Sequence, residues 1–389
     1  MKRNNPRILL ICDVITPSQP VHGFIQALID GEWSFNVVCN TLKSSIDKTN
    51  IIECNKESDY NSKLTKLALI LFNKDFGSIS FEKEAIEKSN SIMKDSSPDV
   101  IISFVTGASF QPLSIGAKLA KRFDIPYMIH TVDPLPSVPG WGEKPIYRRA
   151  VIKTIRPFFN QAAFLSANNE AILDYQVDLM KFKGQSFWLP TVIERKTNSS
   201  KTTNQTLVFL YAGSFYGKRN PKILITGFKE FLKSQPDAAL WIYGNNKIDL
   251  NEYELTQSEK EQIVIRGFTT NIDAIINDAT VLIDIDANVE NDVFISGKLV
   301  HYLNTSKVVM AVTPLNSPAR KWLNEVRDTV SVANYSTSEI SSAFSNALEF
   351  SKELSSHTIY ERRNPFMSKF SKAAVLNRLV KGLLSRDEN

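Results

Sequence analysis

The chain has 389 residues, of which 43% are hydrophobic and 22% are charged, and its formal net charge is +5. This length favours two domains, each large enough to bury its own core. The weak positive charge argues against a nucleic-acid partner, and no apolar run approaches the roughly 18 residues that a membrane-spanning helix requires.

The N-terminus and the cysteines predict a cytoplasmic protein. The first apolar run, ILLIC, ends at Asp13 and is too short for a signal peptide. The three cysteines, Cys12, Cys39 and Cys54, are odd in number and lack C-x-x-C spacing. We therefore expect buried, reduced thiols and a reducing compartment.

Short apolar runs alternate with helical patterns through the first half of the chain. The apolar runs are RILLIC (7–12), FNVVC (35–39), DVIISF (99–104), PYMIH (126–130) and AFLSA (163–167), and the helical patterns include KLTKLALILF (63–72) and LSIGAKLAKRF (113–123). This alternation predicts a parallel sheet covered by helices on both faces. A polar, Ser/Thr/Asn-rich stretch then follows, so we place the first domain at 1–195 and an interdomain linker at 196–206.

The same alternation restarts after the linker and predicts a second domain at 207–357. Its apolar runs are LVFLYA (207–212), AALWIYG (238–244), QIVIRGF (262–268), ATVLIDID (279–286) and KVVMAV (307–312). The tail at about 358–389 has a helical pattern. The predicted fold class is α/β, with two Rossmann-like, doubly wound domains that face a central cleft, where the carboxyl ends of the strands would bind ligands.

Two strand–loop–helix units carry a basic residue where the helix is predicted to begin. In the block 291–312, a helix opens at Ser296, Gly297 and Lys298, and in the earlier unit the strand LVFLYAG leads to Arg219. Backbone N–H groups at a helix start, together with a cation, suit a phosphate group, so the pair predicts a diphosphate site. Lys218 could replace Arg219, and the competing interpretation is a pair of solvated cations.

His130 ends an apolar run and is followed closely by Asp133, so both are candidates for contacts with the reacting groups of a substrate. A half-buried structural histidine is an equally good interpretation. The other histidines show no metal-ligand spacing. Asp284 and Asp286 form a D-x-D tripeptide that holds a divalent metal in some sugar-transferring enzymes, but a structural role is favoured here.

The segment PIYRRAVIKTIRPFF (145–159) predicts a basic helix in which aromatic and aliphatic residues are interleaved. Such a helix could contact the anionic headgroups of a membrane surface. The alternative is an ordinary surface helix that packs on the sheet.

These motifs together resemble the retaining GT-B glycosyltransferases of the family 4-like type, which build bacterial surface polysaccharides and glycolipids. The resemblance is carried by YAGSFYGKRNPKILITGF, IRGF and ISGKLVHYLNTSKVVMAV in the second half, and by IPYMIHTVDPLP and WLPTVIE in the first. It implies that the tail helix completes the first domain.

The resemblance also implies an activity and a set of contacts. The chain would transfer a sugar, with retention and without a metal ion, from a UDP- or GDP-linked donor to a glycan or lipid-linked acceptor in capsule or O-antigen synthesis. It would need no further cofactor, and it would work in the cytoplasm or at the inner face of the membrane. The implied contacts are Gly213, Arg219 and Lys298 with the diphosphate, Arg266, Gly267 and Phe268 with the base, and His130 near the sugar.

The chain departs from the family pattern in its last motif. Of two glutamates that are often spaced eight residues apart, the second position holds His301 and the first lies near Val293, with Asp292 and Glu290 as offset acids. Two other hypotheses therefore stay open. One is a nucleotide-sugar epimerase on the same architecture, and the other is a non-catalytic binding or scaffold protein.

Overall fold

The computed structural model describes residues 5–56, 63–75, 79–95, 97–107, 109–194 and 207–384. They form two compact units. The first contains the described residues up to Pro139, Glu143–Glu194 and those from Lys369 onward, and the second contains Gly140–Gly142 and the described residues from 207 to Ser368. The linker predicted at 196–206 lies outside the described residues.

The first unit is built on a seven-stranded sheet whose neighbouring strands all run parallel. Its strands are β1 (Ile8–Ile15), β2 (Phe35–Leu42), β3 (Ile51–Glu53), β4 (Val100–Val105), β5 (Tyr127–Thr131), β6 (Phe164–Ala167) and β7 (Gln185–Trp188). Their spatial order is β3-β2-β1-β4-β5-β6-β7. The central strands are buried on both faces, which is why their sequences read as continuous apolar runs.

Six helices connect these strands. They are α1 (Pro20–Asp30), α2 (Lys63–Phe72), α3 (Ile79–Asp95), α4 (Gln111–Phe123), α5 (Pro145–Phe159) and α6 (Glu170–Met180). Three of them, α1, α4 and α5, have a proline in the first turn, where the missing N–H costs no hydrogen bond. α6 is instead capped by the Asn169 side chain, which accepts a hydrogen bond from the backbone N–H of Ile172.

The second unit contains a six-stranded parallel sheet of β8 (Val208–Ala212), β9 (Ala239–Tyr243), β10 (Ile263–Arg266), β11 (Val281–Ile285), β12 (Val308–Val312) and β13 (Val330–Ala333). The spatial order is β10-β9-β8-β11-β12-β13. The chain therefore builds outward from β8 in one direction and from β11 in the other. Loops at the carboxyl ends of such a pair diverge and leave a crevice where ligands bind in doubly wound sheets.

The helices of the second unit are α7 (Pro221–Leu232), α8 (Gln257–Glu261), α9 (Ile272–Asp278), α10 (Gly297–Leu303), α11 (Ala319–Glu325), α12 (Thr337–Glu353) and α13 (Ser356–Met367). Helices α7 and α12 pack against each other. Phe209 of β8 lies among Phe228, Phe231 and Phe344 of these helices, with ring centroids 5.0–6.4 Å from its own. This aromatic cluster fixes one face of the sheet and so positions the end of β8.

A buried arginine holds α13 in the second unit. The Arg363 side chain is fully buried and donates hydrogen bonds to Thr329 Oγ1 (2.8 Å), the Thr329 carbonyl (2.8 Å) and the Thr305 carbonyl (3.1 Å). The resemblance in sequence implies that the whole tail from about residue 358 completes the first domain. That boundary is corrected by the structure, because only residues from Lys369 onward belong to the first unit.

The last helix, α14 (Lys372–Leu384), packs against α1 and β7 of the first unit. The Lys372 ammonium pairs with Asp30 and Glu194, and the close approach of Gly382 to the Phe187 ring leaves no room for a Cβ. The prediction of two doubly wound, Rossmann-like domains is confirmed. Among the described residues, no helix has the length and apolar character needed to cross a membrane.

Candidate functional site

The loops that follow β8 and β9 in the second unit are tied together by one asparagine. The Asn246 side chain donates to the Gly213 carbonyl (2.9 Å) and accepts from the Phe215 backbone N–H (2.8 Å). The Gly213 N–H in turn donates to the Tyr243 carbonyl (2.7 Å). These bonds fix the course of the loop that leads to Arg219. Asn246 is not among the residues predicted from the sequence, although an Asn two residues after a strand-ending glycine is a recognisable turn signal.

Arg219 is buried in this loop, with 6% of its surface exposed. Its Nη1 donates to the Tyr216 hydroxyl (2.8 Å), and its guanidinium lies 5.0 Å from the Tyr216 ring centroid and 5.7 Å from that of Phe294. Nε and Nη2 are buried and have no hydrogen-bond partner among the described residues. Two unused donors on a buried guanidinium leave it ready to bind a planar or tetrahedral anion.

The structure also decides between the two neighbouring basic residues. Lys218 is exposed, whereas Arg219 is buried, so Arg219 is the residue that points inward. Arg219 precedes α7 and its N-cap residue, Asn220, instead of lying in the first helical turn as predicted. The interpretation of Arg219 as a solvated cation is therefore wrong.

Lys298, in the first turn of α10, reaches back to the end of β8. Its Nζ lies 4.2 Å from the Tyr211 ring centroid and 3.9 Å from Asp284 Oδ1, and it has no hydrogen-bond partner among the described residues. A Cβ added to Gly213 would overlap this Nζ and lie 3.1 Å from Cε. Burial lowers the pKa of Lys298, and the carboxylate of Asp284 opposes that effect.

The two aspartates that end β11 have different environments. Asp286 Oδ2 accepts hydrogen bonds from Thr313 Oγ1 (2.6 Å) and Ser317 Oγ (2.9 Å). Burial raises the pKa of Asp286, and the neighbouring charge of Asp284 adds to the increase. Asp284 Oδ1 lies 3.9 Å from the Lys298 Nζ, so Asp284 provides negative charge beside this cation. The described residues contain no group of three or more His, Cys, Asp or Glu that could hold a metal ion.

The loop before α10 contributes Asp292 and Ser296, and Gly297 is the first residue of the helix. Asp292 Oδ1 accepts from the Phe294 N–H (3.2 Å) and from Trp141 Nε1 (3.1 Å), and burial raises the pKa of Asp292. Ser296 is buried, and its side chain makes no capping hydrogen bond. Gly297 is exposed, and a Cβ added to it would have no other atom within 4 Å.

The remaining predicted contacts of the second unit lie farther out on its surface. His301 is exposed on α10, three residues after Lys298. The buried side chains of this helix are those of Leu299, Val300, Tyr302 and Leu303. Arg266, Gly267 and Phe268 are exposed at the carboxyl end of β10, the edge strand, and 74% of the Phe268 surface is accessible.

A pocket of about 330 Å³ lies between the loops after β8 and β9, lined by residues that include Tyr216, Arg219 and Asn246.

In the first unit, His130 and Asp133 follow one another at the carboxyl end of β5. His130 is buried against the Phe104 ring (4.4 Å between centroids), its Nδ1 lies 2.8 Å from Ser166 Oγ, and burial lowers its pKa to about 3. Burial also raises the pKa of Asp133 to about 6. Burial therefore favours the neutral imidazole, which can donate or accept hydrogen bonds.

No protein-family model matches this chain, and no curated protein matches its sequence. Solved structures share its fold. A mutant of S. aureus TarM in complex with Fondaparinux, alpha-GlcNAc-glycerol and UDP gives a TM-score of 0.61 at 10% identity, over 97% of this chain and 100% of that one. In another TarM structure (TM-score 0.58, 12% identity, 80% of this chain), the match spans only 59% of the relative's length.

Two further proteins are similar over nearly their whole length. WaaG, a glycosyltransferase involved in lipopolysaccharide biosynthesis, gives a TM-score of 0.58 at 12% identity over 96% of this chain and 98% of that one. A putative UDP-N-acetylglucosamine 2-epimerase from Listeria monocytogenes gives 0.55 at 12% identity over 98% and 97%. At such identities the likeness shows the fold, which is the GT-B arrangement of two Rossmann-like domains, and leaves activity to be argued from the site.

Proposed function

We propose that this chain is a glycosyltransferase that moves a sugar from a nucleoside diphosphate to the hydroxyl group of an acceptor. The observation that carries the proposal is the pair formed by Arg219 and Lys298. Arg219 Nε and Nη2 and Lys298 Nζ are buried atoms that have no hydrogen-bond partner among the described residues, and they lie near the carboxyl ends of β8 and β11, where the strand order reverses. Buried cations with unused donors are costly to a protein unless a ligand uses them, and a diphosphate has the matching charge.

This arrangement suits the chemistry of glycosyl transfer. The bond between the anomeric carbon and the diphosphate oxygen breaks, and negative charge grows on the departing diphosphate. The acceptor oxygen bonds to the anomeric carbon, and its hydroxyl proton passes to the departing diphosphate or to solvent. Arg219 and Lys298 would neutralise that charge in a site where burial strengthens electrostatic attraction. We propose that transfer proceeds with retention, on the strength of the resemblance in the sequence motifs.

We further propose that this neutralisation requires no metal ion. Protein groups contact one oxygen of each D-x-D aspartate, because Asp286 Oδ2 accepts from Thr313 and Ser317 while Asp284 Oδ1 lies beside the Lys298 ammonium. The Oδ1 atoms of both aspartates are buried and have no hydrogen-bond partner among the described residues. In this proposal Asp284 helps to keep Lys298 protonated in spite of its burial. Turnover that persists after exhaustive treatment with EDTA is the expected result.

The donor and acceptor classes belong to the same proposal. We propose that the donor is a UDP- or GDP-linked sugar and that the acceptor is a glycan or a lipid-linked precursor of a bacterial surface polysaccharide. We propose that the transfer takes place in the cytoplasm. The TarM complex with UDP and glycans and the role of WaaG in lipopolysaccharide biosynthesis support these classes by analogy of fold. The three cysteines are free and buried, which suits a reducing compartment.

The epimerase hypothesis keeps support from the similarity to the Listeria monocytogenes protein. An epimerase converts its nucleotide sugar in the absence of any acceptor, whereas a transferase consumes donor and acceptor together. Product analysis of UDP-sugars incubated with the protein alone therefore separates the two. The scaffold hypothesis predicts nucleotide binding without turnover under any combination of donor and acceptor.

The experiment that tests the site is calorimetric titration with UDP, GDP, ADP and their common sugar conjugates. We expect one nucleotide class to bind, and we expect Arg219→Ala and Lys298→Ala each to weaken binding by about 1.5–3 kcal/mol, the contribution of a hydrogen bond to a charged group. Lys218→Ala is the matched control, since Lys218 adjoins Arg219 but is exposed. Binding that is equal in all three variants would remove the diphosphate site.

A further inference from the structure

One tryptophan lies between the loop that carries Arg219 and the loop that leads to Lys298. Trp141 belongs to the second unit, within the segment Gly140–Gly142, although the residues on either side of that segment belong to the first unit. Its ring centroid lies 6.3 Å from that of Tyr216, in the loop after β8, and 6.0 Å from that of Phe294, in the loop before α10. The indole therefore packs against both loops.

A hydrogen bond and close backbone packing hold the indole in this position. Trp141 Nε1 donates to Asp292 Oδ1 (3.1 Å), a residue 151 positions later in the chain. The backbone of Gly217 packs on the ring, since an added Cβ would lie 3.6 Å from two indole carbon atoms. Gly140 and Gly142 have φ values of +108° and +97°, which residues with a side chain rarely adopt. This turn fixes the direction in which the Trp141 side chain leaves the backbone.

Three aromatic rings lie around the Arg219 guanidinium, and Trp141 contributes one of them. The Arg219 Cζ is 5.0 Å from the Tyr216 ring centroid, 5.7 Å from that of Phe294 and 6.0 Å from that of Trp141. Attraction between a cation and the face of a ring uses no N–H donor. The rings can therefore hold the guanidinium in place while its Nε and Nη2, which have no hydrogen-bond partner among the described residues, stay available to a ligand.

We propose that Trp141 is a positioning residue for the diphosphate site. It orients the Arg219 guanidinium for the anion, and it keeps the loops of Arg219 and Asp292 together through its contacts with both. In this role Trp141 does not touch the ligand, so its effect on affinity passes through Arg219. A core-packing role fits less well, because Trp141 is half-buried whereas Trp322, a core tryptophan of the same unit, is 4% exposed. The inference rests on the proposed function, since it concerns the same diphosphate site.

The test is calorimetric titration of the full-length protein with UDP and GDP. Trp141→Ala should weaken binding of the nucleotide that the wild type selects by about 5- to 30-fold, as expected for the loss of a partly desolvated cation–π contact. Trp141→Phe should recover most of the affinity, because it keeps an aromatic ring beside Arg219. In an Arg219→Ala background, Trp141→Ala should have less than about a twofold further effect.

Tryptophan fluorescence gives a second readout that a purely structural role would not change. Binding of an anion to Arg219 alters the charge beside the Trp141 ring, so the nucleotide should change the emission of the wild type. The change should be absent from Trp141→Phe and retained by Trp188→Phe. Trp188 is the matched control, because it also lies beside an arginine, with the Arg378 Cζ 4.1 Å from its ring centroid, but belongs to the first unit. Trp188→Ala should leave the affinity unchanged.

Thermal unfolding of every variant separates lost positioning from lost folding. Trp141→Leu keeps an apolar side chain without an aromatic ring, so it should weaken binding as Trp141→Ala does. Full affinity in either variant, or an equal loss with and without Arg219, would overturn the role of Trp141 and leave the proposed function in place. A wild type that binds neither nucleotide would instead remove the diphosphate site, and the role of Trp141 with it.

Discussion

Substituting Gly213 by alanine tests the geometry of the candidate site more sharply than deleting a charge. The backbone of Gly213 does not have the positive φ that excludes other residues, so alanine can adopt its conformation. The new methyl group would occupy the position of the Lys298 Nζ. Because that atom is the end of a flexible side chain, the ammonium should move away while the fold stays intact.

The expected loss follows from what the displaced ammonium no longer does. A hydrogen bond to a charged group contributes about 1.5–3 kcal/mol, so affinity for the selected nucleoside diphosphate should fall about 10- to 150-fold. The free energy of unfolding should change little. At an unstrained glycine position, alanine reduces the conformational entropy of the unfolded chain, and this stabilising effect offsets the cost of moving the lysine side chain. Calorimetric titration gives the affinity, and urea denaturation gives the free energy of unfolding.

A double-mutant cycle with Lys298→Ala supplies the control. Once the lysine side chain is gone, the methyl group at residue 213 has nothing to displace, so Gly213→Ala should have no further effect on affinity. The reasoning is refuted if Gly213→Ala binds the nucleotide as tightly as the wild type. It is equally refuted if the substitution weakens binding by the same factor with and without Lys298.

Three further predictions concern other residues. The pKa of Asp133 is raised to about 6 in the folded chain, so folding favours the protonated carboxyl group. Asp133→Asn should therefore raise the free energy of unfolding at about pH 8 by up to roughly 3 kcal/mol, and this gain should vanish below about pH 4. Urea denaturation at a series of pH values measures the difference. Arg363→Met should lower the free energy of unfolding by more than about 3 kcal/mol, because buried carbonyls lose their donors, and an unchanged urea midpoint would contradict this. Phe268→Ala should leave thermal unfolding unchanged, since the ring is largely exposed. If the ring stacks on the base, the substitution should weaken nucleotide binding by about 1–3 kcal/mol. Equal affinity in calorimetry would show that Phe268 does not contact the nucleotide.

The sequence alone determined the elements and their class. Strands such as β4 and β11 are buried throughout and mostly apolar because both faces of a parallel sheet are covered, and this pattern is local enough to be recognised without a structure. The same local logic predicts that Arg219 and Lys298 lie at the starts of two helices in strand–loop–helix units. It could not place α13, because the contacts that hold that helix, such as those of Arg363, are made with residues more than thirty positions away in the chain.

Only the tertiary structure decided which side chains meet. Arg219 and Lys218 are adjacent and equally basic, and the inward choice follows from the Asn246 bonds that fix their loop from a different strand. Lys298 reaches Asp284 because Gly213 lacks a side chain, a relation among three residues far apart in the chain. The periodicity of apolar residues indicates on which face of its own helix or strand each side chain lies. A binding site depends instead on distances between different elements, and these are set only when the sheet assembles.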